Sequence, residues 1–152
     1  MYTSILVFLQ CVQLGILLLH DWVQLGSWND LSAVRRQHSQ KALALGTMVS
    51  SLFPLIGLAL SIAYWTISWP RWLYIYLLAA YGFLLVGELE AWWIPFLVWN
   101  QPKRASEYHA MYGNTYAFLP ARNGIRINAL HCVLHAATLA TVLILTAYFV
   151  RR

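Results

Sequence analysis

The chain has 152 residues, of which 61% are hydrophobic and only 10% are charged. Soluble domains usually hold roughly 45–50% apolar and about 25% charged residues, so a soluble domain of this size could not bury so much apolar surface. The formal charge is +5, but the basic residues lie in short connections and at the C-terminal end, not along one helix. We therefore expect membrane lipids, and not nucleic acid, as the partner.

Four apolar stretches are long enough to cross a bilayer, which takes about 20 helical residues. They cover roughly residues 2–22, 42–65, 72–98 and 127–150. The pattern predicts one domain over residues 1–152, an all-α integral membrane protein whose four transmembrane helices form a compact bundle. The first stretch lacks a basic n-region and a small-residue cleavage site, so we interpret it as a span and not as a signal peptide.

The connections carry signals for short interfacial helices and turns. Asp30 is placed to cap the N-terminus of a helix in "DLSAVRRQ". The last connection predicts a helical turn over residues 105–111, a break at Gly113 and a turn at Asn123-Gly124. Between them these signals predict helical segments in both long connections.

Small residues recur every fourth position at the start of the second span, at Ala42, Gly46 and Ser50. Such spacing lets helix backbones approach closely in membranes. We predict that this face packs against a neighbouring helix.

Basic residues favour one orientation. Four spans place both termini on one side and the two long connections on the other, and basic residues favour cytoplasmic connections. The connection side holds seven basic residues against three on the terminal side. We predict a bacterial inner (plasma) membrane protein with both termini outside the cytoplasm. The seven are Arg35, Arg36, Lys41, Lys103, Arg104, Arg122 and Arg126, and the three are Arg71, Arg151 and Arg152.

Ionisable residues within the spans lie towards the connection side. By helix rise, Glu88 lies about 15 Å and His135 about 14 Å from the inner end of its span. A charge facing lipid costs at least about 2.5–3.5 kcal/mol, so we predict one shared polar site. Its residues are Glu88, Glu90, His131, His135, His20 and Asp21. Two stripes about 100° wide support it, namely Gln10, Gln13, His20, Asp21 and Gln24 on the first span and Asn128, His131, Cys132, His135 and Thr138 on the fourth.

We assign Glu88 as the buried acid or base, because a carboxyl group inside a membrane is readily neutral and can exchange a proton near pH 7. Glu90 lies about 200° away round the helix, and we expect it to face another helix gap or a second subunit. Pro95 has no N–H for the Ala91 carbonyl, which is expected to loosen the helix beside the carboxyl groups.

His131 and His135 have the i, i+4 spacing that lets two imidazoles share one metal ion. With Glu88, they form a candidate site for a divalent metal, to which His20 and Asp21 could add ligands. The alternative is that these histidines pair with Glu and Asp without a metal. No Glu follows His131, so the metalloprotease signature is absent.

Candidate substrate-binding residues surround these groups. Trp92 and Tyr81 share the face of Glu88, and their rings could meet a cation or carbocation. Asn128 lies on the histidine stripe, and Arg122 and Arg126 could hold a phosphate headgroup. The alternative is that the aromatic residues pack the core and the arginines set the topology.

The segment "EYHAMYGNTYAFLP" resembles the E-x4-[FY]-G-x2-Y segment of isoprenylcysteine-type membrane methyltransferases. The resemblance covers some 14 residues. The Arg-His-Pro element expected upstream in that family is absent, so no residue role and no cofactor is transferred.

The leading hypothesis is a membrane enzyme that acts on a lipid or other amphiphilic substrate from the cytoplasmic leaflet. Glu88 would be its acid or base, His135 and His131 its partners or metal ligands, and His20 and Asp21 the rest of the polar wall. One alternative is a small homo-oligomeric transporter or proton-coupled carrier for a cationic or amphiphilic substrate. A further alternative is a non-catalytic membrane subunit whose polar stripes dock a larger partner.

Overall fold

The computed structural model describes residues 2–150, which are helical apart from turns and one isolated bridge between Arg122 and Ile125. The third long helix is interrupted by a π-helical turn over Leu89–Trp93. The helices are α1 (Tyr2–Leu19), α2 (Leu31–Gln37), α3 (Gln40–Ala63), α4 (Arg71–Glu88), α5 (Ile94–Leu97), α6 (Pro102–Tyr112) and α7 (Ala129–Val150).

Three helices are long and apolar enough to cross a membrane: Gln40–Ala63, Arg71–Leu97 and Ala129–Val150. They coincide with the second, third and fourth predicted spans. The apolar helix Thr3–Leu19 is shorter than these three. It ends before Trp22, where the prediction placed its end, because the buried side chain of Asn29 donates to the carbonyls of His20 and Val23 at 2.7 Å each and turns the chain.

The four long helices form a ring. Helix α1 packs against α3 and α7, and α4 packs against the same two, so α1 and α4 lie diagonally across the centre. Large apolar side chains such as Phe53 and Phe83 point outward. The centre instead holds buried polar side chains, an arrangement typical of helices surrounded by lipid. Those side chains are Gln10, Gln13, Ser51, Ser61, Glu88, His131, His135, Thr138 and Thr141.

Both long connections, residues 20–39 and 98–128, lie at one end of the bundle, which we call the loop end. Helix α2 packs on α6, and the amide of Tyr116 donates to the carbonyl of Ser27 at 2.7 Å. Asp30 caps α2 as predicted, its carboxylate accepting from the amide of Ala33 at 2.9 Å. The hydroxyl of Ser32 and that amide lower the pKa of Asp30.

The last connection follows its predicted pattern with a longer helix, α6, which is capped by Gly113. Asn123 and Gly124 have φ values of 52° and 74° and close a two-residue turn between Arg122 and Ile125. Positive φ at both central positions is the geometry that Asn-Gly favours.

Of the basic residues used to predict orientation, seven lie in or beside these connections, and Arg71 lies at the opposite end, with its guanidinium 5.5 Å from the ring centre of Phe149. Arg151 and Arg152 lie outside the described residues.

The predicted small-residue packing face is wrong. Ala42 and Gly46 are exposed, and a Cβ at Gly46 would meet no atom within 4 Å. Helix α3 instead turns its next small residues to the centre, where Ser51, Pro54, Gly57 and Ser61 are buried. Recurrence of small residues was visible in the sequence, but an apolar helix in lipid has no polar face to show which stripe points inward.

Alanine substitution distinguishes the two glycines. A Cβ at Gly57 would lie 2.9 Å from Cδ2 of the fully buried Leu77 and 3.8 Å from the ring of Tyr81. Gly57→Ala should destabilise the protein by about 1–3 kcal/mol through overpacking. Gly46→Ala should be neutral or stabilising by up to about 1 kcal/mol, since alanine favours a helix. Thermal unfolding in detergent measures both, and equal shifts would contradict the packing described here.

Candidate functional site

The carboxyl group of Glu88 lies in the centre of the bundle against α7. Its Oε1 accepts from the hydroxyl of Thr138 at 2.9 Å. The same hydroxyl lies 3.2 Å from Oε1 of Gln13, whose amide nitrogen donates to the hydroxyl of Thr141 at 2.9 Å. Glu88, Gln13, Thr138 and Thr141, which we call the carboxyl cluster, are all buried.

The carboxyl cluster accommodates both protonation states of Glu88. Thr138 has one hydroxyl proton, and three oxygens lie within reach of it: those of Glu88 and Gln13 and the carbonyl of Leu134. When Glu88 is ionised, Thr138 donates to it. When Glu88 is protonated, it can donate to Thr138, which then donates to Gln13. A rotation of one hydroxyl therefore compensates for the arrival or loss of a proton.

Two histidines follow on the same face of α7, towards the loop end. Nδ1 of His131 lies 2.6 Å from Oδ1 of Asn128, which also caps α7 by accepting from the amide of His131 at 2.9 Å. Nδ1 of His135 lies 3.1 Å from the indole N–H of Trp93. An amide oxygen only accepts and an indole N–H only donates. Neutral His131 therefore carries its proton on Nδ1, and neutral His135 carries it on Nε2.

A third histidine continues this series to the loop end. His20 meets His131 edge to face, with ring centres 5.7 Å apart, and its Nε2 lies 3.3 Å from Oδ2 of Asp21. Its Nδ1 lies 2.9 Å from the carbonyl of Ile16. His20, His131 and His135, which we call the histidine series, lead from the partly exposed Asp21 into the bundle towards Glu88.

Aromatic rings enclose the histidine series. The ring centre of Trp92 lies 4.2 Å from that of His131 and 6.2 Å from that of His135. Tyr112 lies 5.3 Å from His131, and Tyr108 lies 4.5 Å from Trp92. Burial raises the pKa of both Tyr108 and Tyr112, so their hydroxyls stay protonated.

The π-helical turn brings two consecutive tryptophans, Trp92 and Trp93, to α7. The amide of Ile94 donates to the carbonyl of Leu89, five residues back, which leaves the carbonyl of Glu90 without its helical donor. The guanidinium of Arg104 donates a hydrogen bond to that carbonyl at 3.0 Å. Wide turns of this kind occur frequently at functional sites.

Pro95 frees the next carbonyl, as predicted. Having no N–H, it cannot bond the carbonyl of Ala91, and the hydroxyl of Tyr108 donates there instead at 3.0 Å. Helix α6 therefore holds the irregular turn through Arg104 and Tyr108. The expected loosening is compensated by a neighbouring helix.

The structure brings some predicted site residues together and separates others. His20, Asp21, His131, Asn128 and Trp92 converge as expected. Glu88 reaches the same face of α7 but bonds Thr138, one turn beyond His135. Among residues 2–150, the ion pair within 4.0 Å is His20–Asp21, so the expected pairing of Glu88 with a histidine is wrong.

Other predicted residues lie outside the site. Glu90 is exposed on the far side of the helix from Glu88. Arg122 is exposed in the turn, and Arg126 donates to the carbonyl of Gly113 at 2.9 Å. Tyr81 is fully buried two turns before Glu88, in an apolar cluster. The two arginines thus shape the loop end and do not face the polar centre.

The proposed metal ligands have other hydrogen-bond partners. Within residues 2–150, no three side chains from His, Cys, Asp and Glu are grouped to hold an ion. The rings of His131 and His135 have centres 5.8 Å apart, and their Nδ1 atoms are bonded to Asn128 and Trp93. The carboxyl group of Glu88, the third proposed ligand, is bonded to Thr138. Of the alternative, in which the histidines pair with Glu and Asp, the described residues show one pair, His20 with Asp21.

Side chains that the sequence did not single out complete the site. Thr141 holds Gln13, and Tyr108 holds the π-helical turn. The stripes on the first and fourth spans contained Gln13 and Thr138. Which side chains of two helices form hydrogen bonds depends on the register between the helices. The polar stripe of a single helix does not specify that register.

An apolar cluster closes the bundle at the end opposite the loop end. Seven buried side chains form it: Leu6, Trp69, Leu73, Tyr74, Leu77, Tyr81 and Leu145. The cluster lies beyond Gln10 and Thr141 along α1 and α7. Asp21 and three histidines therefore lie between Glu88 and the loop end, whereas on the other side of Glu88 the buried polar residues Gln10 and Thr141 are followed by the apolar cluster.

No protein family, curated protein or solved structure matches the chain. The segment that resembles the methyltransferase motif forms the second half of α6 and the turn after it. There Tyr112 packs on Trp92 and His131, and the hydroxyl of Thr115 donates to the carbonyl of Tyr112 at 2.7 Å.

Removing one hydroxyl tests the support of the π-helical turn. Tyr108→Phe leaves the carbonyl of Ala91 without a donor, which should cost about 1–3 kcal/mol. Tyr116→Phe removes a hydroxyl from an exposed ring and should change stability by less than about 0.5 kcal/mol. Thermal unfolding in detergent gives both values. Equal stability of the two variants would show that Tyr108 does not hold the turn.

The histidine tautomers are open to direct measurement. In protein with ¹⁵N-labelled histidine, at a pH where both rings are neutral, His131 should be protonated at Nδ1 and His135 at Nε2. Asn128→Ala should remove the preference at His131 and leave His135 unchanged. Trp93→Phe should do the reverse. The ¹⁵N shifts of both rings report this, and identical tautomers in the wild-type chain would refute the assignment.

Proposed function

We propose that the chain is a small integral membrane enzyme that performs acid–base chemistry on a lipid or other amphiphilic substrate. Glu88 is the acid or base, and the histidine series supplies its proton from the loop end. The observation that carries this proposal is the one-sided polarity of the bundle centre. Asp21 and the three histidines lie on the loop-end side of Glu88, and the apolar cluster closes the opposite end beyond Gln10 and Thr141.

The proposal includes four spans. Helix α1 is 18 residues long, about 27 Å at 1.5 Å per residue, close to the roughly 30 Å of a bilayer core. It completes the ring around the polar centre, and its outward side chains, such as Phe8, are apolar. A charge count of seven against one among the described residues favours the loop end in the cytoplasm, with α2 and α6 at the interface of a bacterial inner membrane.

The chemistry follows from the hydrogen bonds of Glu88. Rotation of the Thr138 hydroxyl matches the cluster to either protonation state, so proton transfer needs little rearrangement. Neutral His135 retains a proton on Nε2, and neutral His131 retains a lone pair on its own Nε2. The two remaining ring nitrogens are a donor and an acceptor, which suits proton movement along α7. Trp92 and Trp93 fix the ring positions.

Glu88→Gln is the test of this function. The substitution keeps shape and hydrogen-bonding capacity but removes the exchangeable charge, and loss of general acid–base catalysis lowers rates by about 10²–10⁴-fold. Purified wild-type and variant proteins would be incubated in vesicles of native lipid extract, with mass spectrometry of the extract before and after. We expect an amphiphile consumed by the wild-type protein and unchanged with Glu88→Gln.

Glu90→Gln is the matched control, because it makes the same change two residues away on the exposed side of the helix. It should turn over the substrate like the wild-type protein. Loss of turnover in Glu90→Gln with full turnover in Glu88→Gln would reverse the assignment. Turnover that is equal in all three proteins would remove both carboxyl groups from the reaction.

A proton-coupled carrier is the second candidate. The observation that favours it is that buried polar side chains Gln10 and Tyr81 continue beyond Glu88 towards the opposite end. Four spans leave little room for an aqueous path, so a carrier would act as an oligomer. Reconstituted vesicles with an internal pH dye distinguish the two functions: a carrier moves protons with its substrate, whereas the enzyme changes the substrate without moving protons.

A further inference from the structure

A surface cavity of about 420 Å³ opens at the loop end, where α6 begins. Its volume falls within the roughly 300–1,000 Å³ of small-molecule sites. None of its lining residues belongs to the carboxyl cluster or to the histidine series, so the cavity is separate from the candidate site. The lining residues are Gln101, Pro102, Lys103, Arg104 and Glu107.

The cavity combines two positive charges with one negative charge. Glu107 follows Lys103 by four residues and Arg104 by three, so its side chain neighbours both bases on one side of α6, with Cβ atoms about 5–6 Å apart. Neither base lies within 4.0 Å of a carboxylate in the part of the chain that the structure describes. Lys103 and Glu107 are also exposed. Their charges are therefore available to a ligand.

Arg104 is held in place by the irregular turn of the third span. Its guanidinium donates to the carbonyl of Glu90 in the π-helical turn at 3.0 Å. One turn later on α6, the ring of Tyr108 packs on Trp92 with ring centres 4.5 Å apart. A guanidinium has five N–H groups, so the bond to Glu90 leaves donors for an anion in the cavity.

Exposed apolar side chains lie just before the cavity residues in the chain. Leu97, Val98 and Trp99 are 46%, 62% and 54% exposed. Tryptophan at such a position is typical of the boundary between lipid and water. A charged cavity beside exposed apolar side chains suits an amphiphile, because its headgroup needs the first and its acyl chains need the second.

We propose that this cavity binds the phosphoethanolamine headgroup of a membrane phospholipid. Lys103 and Arg104 hold the phosphate through charge-assisted hydrogen bonds, and Glu107 holds the ammonium group. Two carbon atoms join the phosphate to the amine, which matches the separation of the bases from Glu107 by one helical turn. A phosphate headgroup without an amine would leave Glu107 beside an anion. The membrane source of the headgroup rests on the proposed function, which includes α6 at the interface.

Native mass spectrometry of the full chain in detergent tests the site. The probes are phosphatidylethanolamine and phosphatidylglycerol with identical acyl chains, supplied in equal amounts. The wild-type protein should retain phosphatidylethanolamine several-fold more than phosphatidylglycerol. Equal retention of the two lipids would overturn the proposal. Displacement of the lipid by soluble O-phosphoethanolamine at equal concentration would overturn the membrane source.

Variants assign the two ends of the headgroup. Lys103→Gln should lower the retention of both lipids several-fold, whereas Lys41→Gln, the same change at an exposed lysine outside the cavity, should not. Glu107→Gln should abolish the preference for phosphatidylethanolamine. Glu90→Gln makes the same change outside the cavity lining and should keep that preference. Unchanged retention in Lys103→Gln, or an unchanged preference in Glu107→Gln, would overturn the assignment.

Glu88→Gln separates the headgroup site from the proposed function. This variant should retain phosphatidylethanolamine like the wild-type protein, because Glu88 does not line the cavity. Should Glu88→Gln keep full turnover while the lipid preference is present, the proposed function would fail and the headgroup site would stand. Should turnover depend on Glu88 while the wild-type protein shows no lipid preference, the headgroup site alone would fail.

Discussion

The burial of one carboxyl group at the centre of an apolar bundle is the constraint on which the rest of the structure depends. Removing a carboxylate from water costs several kcal/mol unless other groups compensate, and Glu88 has no cationic side chain within 4.0 Å among the described residues. Within the described residues, its compensation is a single hydroxyl, that of Thr138, which donates to Oε1. Burial disfavours the charged form of a carboxyl group and the hydrogen bond from Thr138 favours it, and the proposed function depends on this balance.

The irregular turn after Glu88 is the second consequence of placing a site here. Trp92 and Trp93 are consecutive residues of the π-helical turn, and both reach α7: Trp92 packs on His131, and Trp93 donates to His135. This turn and Pro95 leave two carbonyls without helical donors. Side chains of α6, a helix of the loop end, donate to them instead. The loop end is thus part of the site's architecture, beyond its part in connecting spans.

Much of the fold was predictable from the sequence because its signals are local. Asp30 caps a helix, Asn123-Gly124 adopts a turn with positive φ, and the long apolar stretches form helices for reasons contained in a few consecutive residues. The face of α3 was not predictable, since both lipid and protein neighbours accept apolar side chains. The direction in which a membrane helix turns Gly46 or Gly57 depends on partners that are distant in sequence.

The candidate site, too, was predictable only in part. Their depths in the predicted spans placed Glu88 level with His135. In the structure, the side chain of Glu88 does meet the face of α7 that carries His135. The pairing differed because equal depth does not specify register: the carboxyl group meets Thr138, three residues further along the helix. That difference changes the chemistry, since a histidine partner would have held Glu88 ionised in a closed ion pair. A hydroxyl can donate to a carboxylate or accept from a carboxylic acid, and the proposed function uses this property of Thr138 together with the three histidines that lie between Glu88 and the loop end.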